Sequence, residues 1–201
     1  MNSKKKYSIK DDFTMIAILT MPVAVAVNFV GGQLTTMLKL PMYLDSIGTI
    51  FGAIVGGPWV GATIGLLTHL VGGIANPVLF AFAPTSIILG ILTGYLSRKG
   101  MFSKFSKSII SVLLMTFVSI VVSAPIIVYV FGGITGGGSS ILIATLMAAG
   151  KNIWTSVLTS DGINNLIDRI ISVLVSFAII RVLPDRSLIK FSLGSKYITK
   201  K

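Results

Sequence analysis

Apolar residues dominate the chain in long blocks, separated by short gaps rich in polar residues, glycine or proline. A membrane-crossing helix needs roughly 20 mostly apolar residues, and the blocks divide on that scale. The first, 12–30, contains Pro22 and ends at Gly31 and Gly32, where the chain can turn. The stretch 33–41 is polar enough for an outer loop, and Pro41 suits the first turn of the next helix because its missing donor and fixed φ cost nothing there. A second span is expected over 42–56, a tight turn at Gly57 and Pro58, and a third span over 59–73. After a break at Ala75, Asn76 and Pro77 a fourth follows over 78–97. The fifth covers 108–131, carries Pro125 and stops at a glycine-rich loop. Segment 141–160 is apolar but interrupted by Gly150, Lys151 and Asn152, and the last span is read over 164–183.

This pattern predicts an all-α integral membrane protein: six transmembrane helices, with an extra re-entrant or outward-lying helix between spans five and six. Irregular backbone at membrane depth is tolerated where protein or a watery cavity surrounds it. A seventh crossing at 141–160 would put the basic C-terminal tail on the wrong side. The whole of 1–201 reads as a single transmembrane domain with cytoplasmic tails at 1–11 and 185–201. The first apolar run is too long, and too closely followed by others, for a cleaved signal peptide.

Composition agrees. Of 201 residues 53% are hydrophobic and only 11% charged, with a mean hydropathy of +0.91, whereas a soluble domain carries about 25% charged residues. The net charge of +11 does not imply nucleic acid, because the basic residues are clustered beside the spans. Lys4, Lys5, Lys6 and Lys10 precede the first run; Arg98, Lys99, Lys104 and Lys107 occupy the middle; Arg181, Arg186, Lys190, Lys196, Lys200 and Lys201 form the end. Such clusters mark the cytoplasmic side and favour anionic membrane lipid. All three therefore lie inside, and both termini are cytoplasmic.

Cysteine and glutamate are absent and one histidine is present, which removes thiol chemistry and most acid–base and metal arrangements. No HExxH, GxSxG or phosphate-loop pattern occurs. No enzymatic activity and no cofactor are expected.

Glycines recur every four residues at Gly48, Gly52 and Gly56, at Gly57, Gly61 and Gly65, and at Gly90 and Gly94. In lipid, small residues let helix backbones approach closely, either inside the chain or as a docking face for another subunit; the first reading is preferred. Ionisable residues away from the basic side are costly in a membrane and usually functional. They are Asp45, His69, Lys151, Asp161, Asp168 and Arg169. Asp45 reads equally as a helix cap or a substrate contact, and His69 as a packing residue. Lys151, Asn152 and Trp154, with Asp161, Asn164, Asn165, Asp168 and Arg169, offer a cation, amide donors and an aromatic plate, or else an ion-paired helix start with an interfacial Trp and a snorkelling Lys. The candidate substrate-binding set is Gln33, Asp45, Asn76, Lys151, Asn152, Trp154, Asn164, Asp168 and Arg169, in the outer half of the bundle.

Segment 40–77, with its proline loop, Asp-bearing short helix, Gly-Pro turn and glycine-rich third helix, resembles the substrate-specific (S) components of energy-coupling factor (ECF) transporters. The ending 164–184 is similar to their last helix. The resemblance implies a bacterial cell-membrane subunit that captures a vitamin or vitamin precursor in an outward cavity closed by the loop between spans one and two. It also implies partners: a transmembrane coupling protein and two cytoplasmic ATPase subunits, to which the S component delivers its load by toppling in the bilayer. Members commonly dock through AxxxA in the first helix. Here Ala17 is followed four residues on by Met21, and the nearest small pair is Thr20 with Ala24, so the docking set implied is Ala17, Thr20, Ala24, Gly52 and Gly56. Among substrates the chain looks most like the pantothenate branch, with pyridoxine or hydroxymethylpyrimidine next. A self-sufficient secondary transporter or channel, with broken helices and paired acids, and a structural membrane subunit without ligand are the alternatives.

Overall fold

The computed structural model describes residues 8–40 and 42–198. Every regular element among them is helical. After a single turn, α1 (Ile9–Asp12), the chain enters α2 (Met15–Met37), capped by Thr14, whose hydroxyl accepts the Ala17 N–H. The helix runs straight through Gly31 and Gly32, past the expected stop. Those glycines serve close approach rather than a turn: a Cβ on Gly31 would collide with the carbonyl of Leu44.

The next helix, α3 (Ile47–Gly56), has ten residues, all buried, a length of about 15 Å. It starts five residues later than expected, after an irregular stretch in which Leu44 has φ +49°. The expected role of Pro41 lies outside the described residues. Gly57, at φ +105°, makes the turn, and Pro58 opens α4 (Pro58–Ala75). A 3-10 segment, Pro77–Phe82, leads into α5 (Ala83–Arg98), and α6 (Phe105–Tyr129) returns. Then come the short α7 (Gly138–Ala148) and the longest helix, α8 (Ile153–Val182), followed by α9 (Asp185–Leu188) and a 3-10 turn, Gly194–Tyr197. Five stretches are long and apolar enough to cross a membrane: α2, α4, Pro77–Arg98, α6 and α8. The expected six includes α3, which is too short to count by length.

The last helix begins eleven residues before the expected start, because Gly150 (φ +82°) ends α7 and Asn152 caps α8 by accepting the Thr155 N–H at 2.8 Å. Residues 153–160 thus belong to the final span and not to the segment before it.

Glycine contacts hold the first half of the bundle. Gly48 lies on the backbone of Ala24, Gly61 against Gly90, Gly65 on Ser86, and Gly94 on Pro58. Gly52 and Gly56 face Ile64 and Val60. Of the two readings of the glycine spacing, packing within the chain is the one these positions adopt. Around them Ala17, Met21, Ile50, Ile54, Ile64 and Leu89 form the main apolar core.

One end of the bundle is closed by polar ties. Asp12 accepts from Arg98 at 2.6 Å and from the Trp59 N–H at 3.2 Å. The C-terminal segment is packed rather than a loose tail: Leu188, Phe191 and Leu193 are buried, the Leu193 N–H donates to Val55 O at 2.9 Å, and Lys196 donates to Arg98 O at 2.8 Å. The described start of the chain, the 98–105 connection and the C-terminal segment therefore share this end, as the basic clusters require.

Candidate functional site

At the opposite end the helices splay around a cavity with two lobes, of about 360 Å³ and 280 Å³. Tyr43, Asp45, His69, Asn76 and Ser139 border both. The first lobe lies between α2 and α4, the second against α5, α6 and α8.

On the α8 side the cavity is lined by Asp161, Asn165 and Arg169, and a sequence periodicity runs behind them. Ser156, Ser160, Asn164, Asp168, Ser172 and Ser176 recur every four residues, so they stack on one face, and all are fully buried. That face sews α8 to the irregular stretch before α3 and to α7. Ser176 donates to Ile47 O at 3.3 Å, Ser160 donates to Ser139 O at 3.1 Å, and the Ser172 and Ser46 hydroxyls lie 3.4 Å apart. Asp168 is the centre of the seam. It accepts from the Leu44 N–H at 2.6 Å, from Ser46 Oγ at 2.8 Å and from Arg169 at 2.8 Å. Arg169 also donates to Ser46 Oγ and, at 3.1 Å, to Asn165 Oδ1. Asp161 accepts from the Tyr43 hydroxyl at 2.9 Å and from Ser123.

Asn28, in the middle of α2, meets the first lobe and is completely buried. Its carbonyl oxygen accepts the Gly48 N–H at 2.6 Å, and its amide donates to Thr49 and Thr68, each at 2.9 Å. One side chain thus ties α2, α3 and α4 together under the cavity. A buried polar group in an apolar setting needs this full set of partners.

His69 is 3% exposed and stands in both lobes. Its Nδ1 is 3.1 Å from Gly65 O, its Nε2 3.4 Å from Ser86 Oγ and 4.0 Å from Asp45 Oδ2. The Asp45 side chain is 25% exposed and, alone among the carboxylates here, accepts no hydrogen bond from a described residue. It sits ahead of α3, whose N-cap is Ser46, and so does not cap the helix.

The structure brings Gln33, Asp45, Asn76 and Arg169 to the cavity. Asp168 stands directly behind Arg169, and Asn164 is buried on the same helix face. Lys151, Asn152 and Trp154 stay away from both lobes: Lys151 is exposed, Asn152 caps α8, and Trp154 packs edge-on against Tyr129 with ring centroids 5.6 Å apart. Of the small residues expected on a docking face, Ala17, Ala24, Gly52 and Gly56 are buried inside the chain, while Thr20 is half-buried and bonded to its own helix. Asn28, Tyr43, Ser46, Thr68 and Ser123 were not singled out by sequence. Asn28 alone carried a usable signal, a lone amide inside an apolar run; the others acquire their role only through long-range contacts.

No curated protein and no solved structure matches the chain. The family described as ECF transporter, substrate-specific component, matches it over residues 15–180. That match takes in four of the five membrane-length helices whole, all but the last two residues of the fifth, and every wall of the cavity, so this multi-pass membrane protein belongs to the family of substrate-specific components of ECF transporters.

Proposed function

We propose that the two-lobed cavity captures a small nitrogenous vitamin or vitamin precursor, neutral or cationic, of the pyridoxine or hydroxymethylpyrimidine kind. The subunit then delivers it through a transmembrane coupling protein driven by two ATPases. The larger lobe falls within the usual size of small-molecule sites, roughly 300 to 1,000 Å³. The observation that carries the reading is the charge of the wall. Asp45 and Asp161 line the cavity with Asp168 behind them, against one arginine among the described lining residues, Arg169, which already donates to Asp168, Ser46 and Asn165. Asp45, which accepts no hydrogen bond from a described residue and stands 4.0 Å from His69, is the carboxylate left open to attract a donor or a cation.

A pantothenate carboxylate would enter this surplus of negative charge without a free cation among the described lining residues to meet it, since Lys151 lies outside the cavity. The same geometry supports a sixth crossing. The buried α3 covers about 15 Å as a helix, half of the roughly 30 Å hydrocarbon core, and the irregular stretch 42–46 carries the chain on from its first residue to the cavity. The short α7 then lies at the outer face. Because basic ends face the cytoplasm, the cavity opens outward.

The test is calorimetry on the full chain in lipid nanodiscs with pyridoxine, hydroxymethylpyrimidine and pantothenate. One of the two nitrogen heterocycles is expected to bind at least tenfold more tightly than pantothenate. Tighter binding of pantothenate overturns the charge argument.

A further inference from the structure

His69 reads from sequence as a packing residue, yet its ring is oriented as a ligand-facing acceptor. The Gly65 carbonyl at 3.1 Å can only accept, so the proton of the neutral ring resides on Nδ1, and Nε2 presents its lone pair. Across a gap of 4.0 Å lies Asp45 Oδ2, which is also an acceptor. That separation is too long for a hydrogen bond, and no described residue places a donor between the two. The Ser86 hydroxyl lies 3.4 Å from Nε2, a long contact that a closer ligand donor can replace, and it leaves Asp45 without a donor. Both residues border both lobes, so the gap lies where the lobes meet.

Two acceptors fixed at this spacing define what is missing. A nitrogen about 2.9 Å from each closes a triangle on the gap, and an amino group with two hydrogens serves both with each bond within about 30° of linear. A hydroxyl, with one hydrogen, serves only one. We propose that Asp45 and His69 form the specificity-determining pair of this subunit and hold a ligand amino group, one N–H on each. The inference rests on the cavity being the ligand site and selects, within that reading, an amino-bearing heterocycle over a hydroxyl-bearing one. Sites built to hydrogen-bond a donor reject analogues lacking it strongly, because their own polar groups are then left unpaired.

The probes are hydroxymethylpyrimidine, which carries a ring amino group, its desamino analogue, and pyridoxine, each titrated against the full chain in nanodiscs. The amino compound is expected to bind at least tenfold more tightly than its desamino analogue. In Asp45→Ala and His69→Leu that ratio should fall towards one through loss of affinity for the amino compound, and His69→Gln, which keeps an acceptor, should retain most of it. A purely structural His69 would weaken both probes together. Should a variant fail to fold, the wild-type ratio alone still decides. An amino-to-desamino ratio near one, or a ratio that survives both substitutions, overturns the pairing. Binding of pyridoxine in preference to the pyrimidine overturns it too and leaves the wider reading of the cavity intact. If no heterocycle binds, both readings fall.

Discussion

Asp168 on the last long helix accepts the backbone N–H of Leu44 at 2.6 Å, a contact between positions 124 apart in sequence. Leu44 is held at φ +49°, an unfavourable conformation for a leucine. The carboxylate therefore orients the irregular stretch that places Tyr43 and Asp45 on the cavity wall, and it neutralises Arg169 at the same time.

Removing Asp168 should accordingly do two things. Breaking a buried pair by deleting one partner costs about 3 to 5 kcal/mol, so Asp168→Ala should unfold at a clearly lower temperature in nanodiscs. Asp168→Ala combined with Arg169→Ala should recover part of that loss, a coupling that a double-mutant cycle measures directly. Strict additivity of the two changes would show that the pair is not a unit.

Asn28 makes a sharper demand. It gives and receives three hydrogen bonds at zero exposure. Asn28→Leu leaves the Gly48 N–H without its acceptor, and an unsatisfied buried group costs about 1 to 3 kcal/mol. Thermal unfolding should show a loss in that range, and ligand affinity should drop as well because α2, α3 and α4 no longer register under the first lobe. A variant as stable as the wild type would mean that the amide is replaceable by packing.

How much of this was legible in the sequence can be judged from particular residues. The fourfold glycine spacing correctly pointed to close helix contacts, because small residues are the principal device by which helices approach in lipid. Gly31 and Gly32 misled, since a glycine read as a stop also permits a crossing backbone, and only the position of Leu44 decides which. Lys151, Asn152 and Trp154 looked like a site because they interrupt an apolar run, yet Asn152 spends its side chain on a helix cap. Asp45, Asn76 and Arg169 were found because polar groups in apolar surroundings are conspicuous. Tyr43 and Ser123 were not, since what matters in them is their shared partner Asp161, on another helix.

The glycine contacts differ in a way that substitution can read. A methyl on Gly52 would meet the Cδ1 terminus of Ile64, a side chain that can rotate aside, whereas one on Gly90 would meet the backbone of Gly61 and Ala62, which cannot. Gly52→Ala should therefore cost less than Gly90→Ala. Overpacking typically costs about 1 to 3 kcal/mol, and the Gly90 variant should lie at or above the upper end, detected as a lower unfolding temperature and a smaller folded yield. Equal effects would mean that α4 and α5 separate more readily than their contact implies.

Orientation in the membrane is the remaining test, and the absence of cysteine from the chain makes it clean. Ser103 follows α5 at the end closed by Asp12 and Arg98, and Ser195 sits in the 3-10 turn beside Lys196, whose ammonium donates to Arg98 O. Lys151 precedes α8 at the cavity end, next to the Trp154 and Tyr129 contact. All three positions are exposed, so a cysteine at each can react if the reagent reaches it. Basic clusters resist translocation, which assigns Ser103 and Ser195 to the cytoplasm and Lys151 to the outside. In intact cells an impermeant thiol reagent should modify Lys151→Cys and spare Ser103→Cys and Ser195→Cys, and all three should react once the membrane is permeabilised. Reaction at position 195 but not at 103 would mean that the C-terminal segment leaves its dock on α3 and α5. Reaction at both, with protection at 151, would invert the molecule and turn the cavity towards the cytoplasm, which is incompatible with capture from outside.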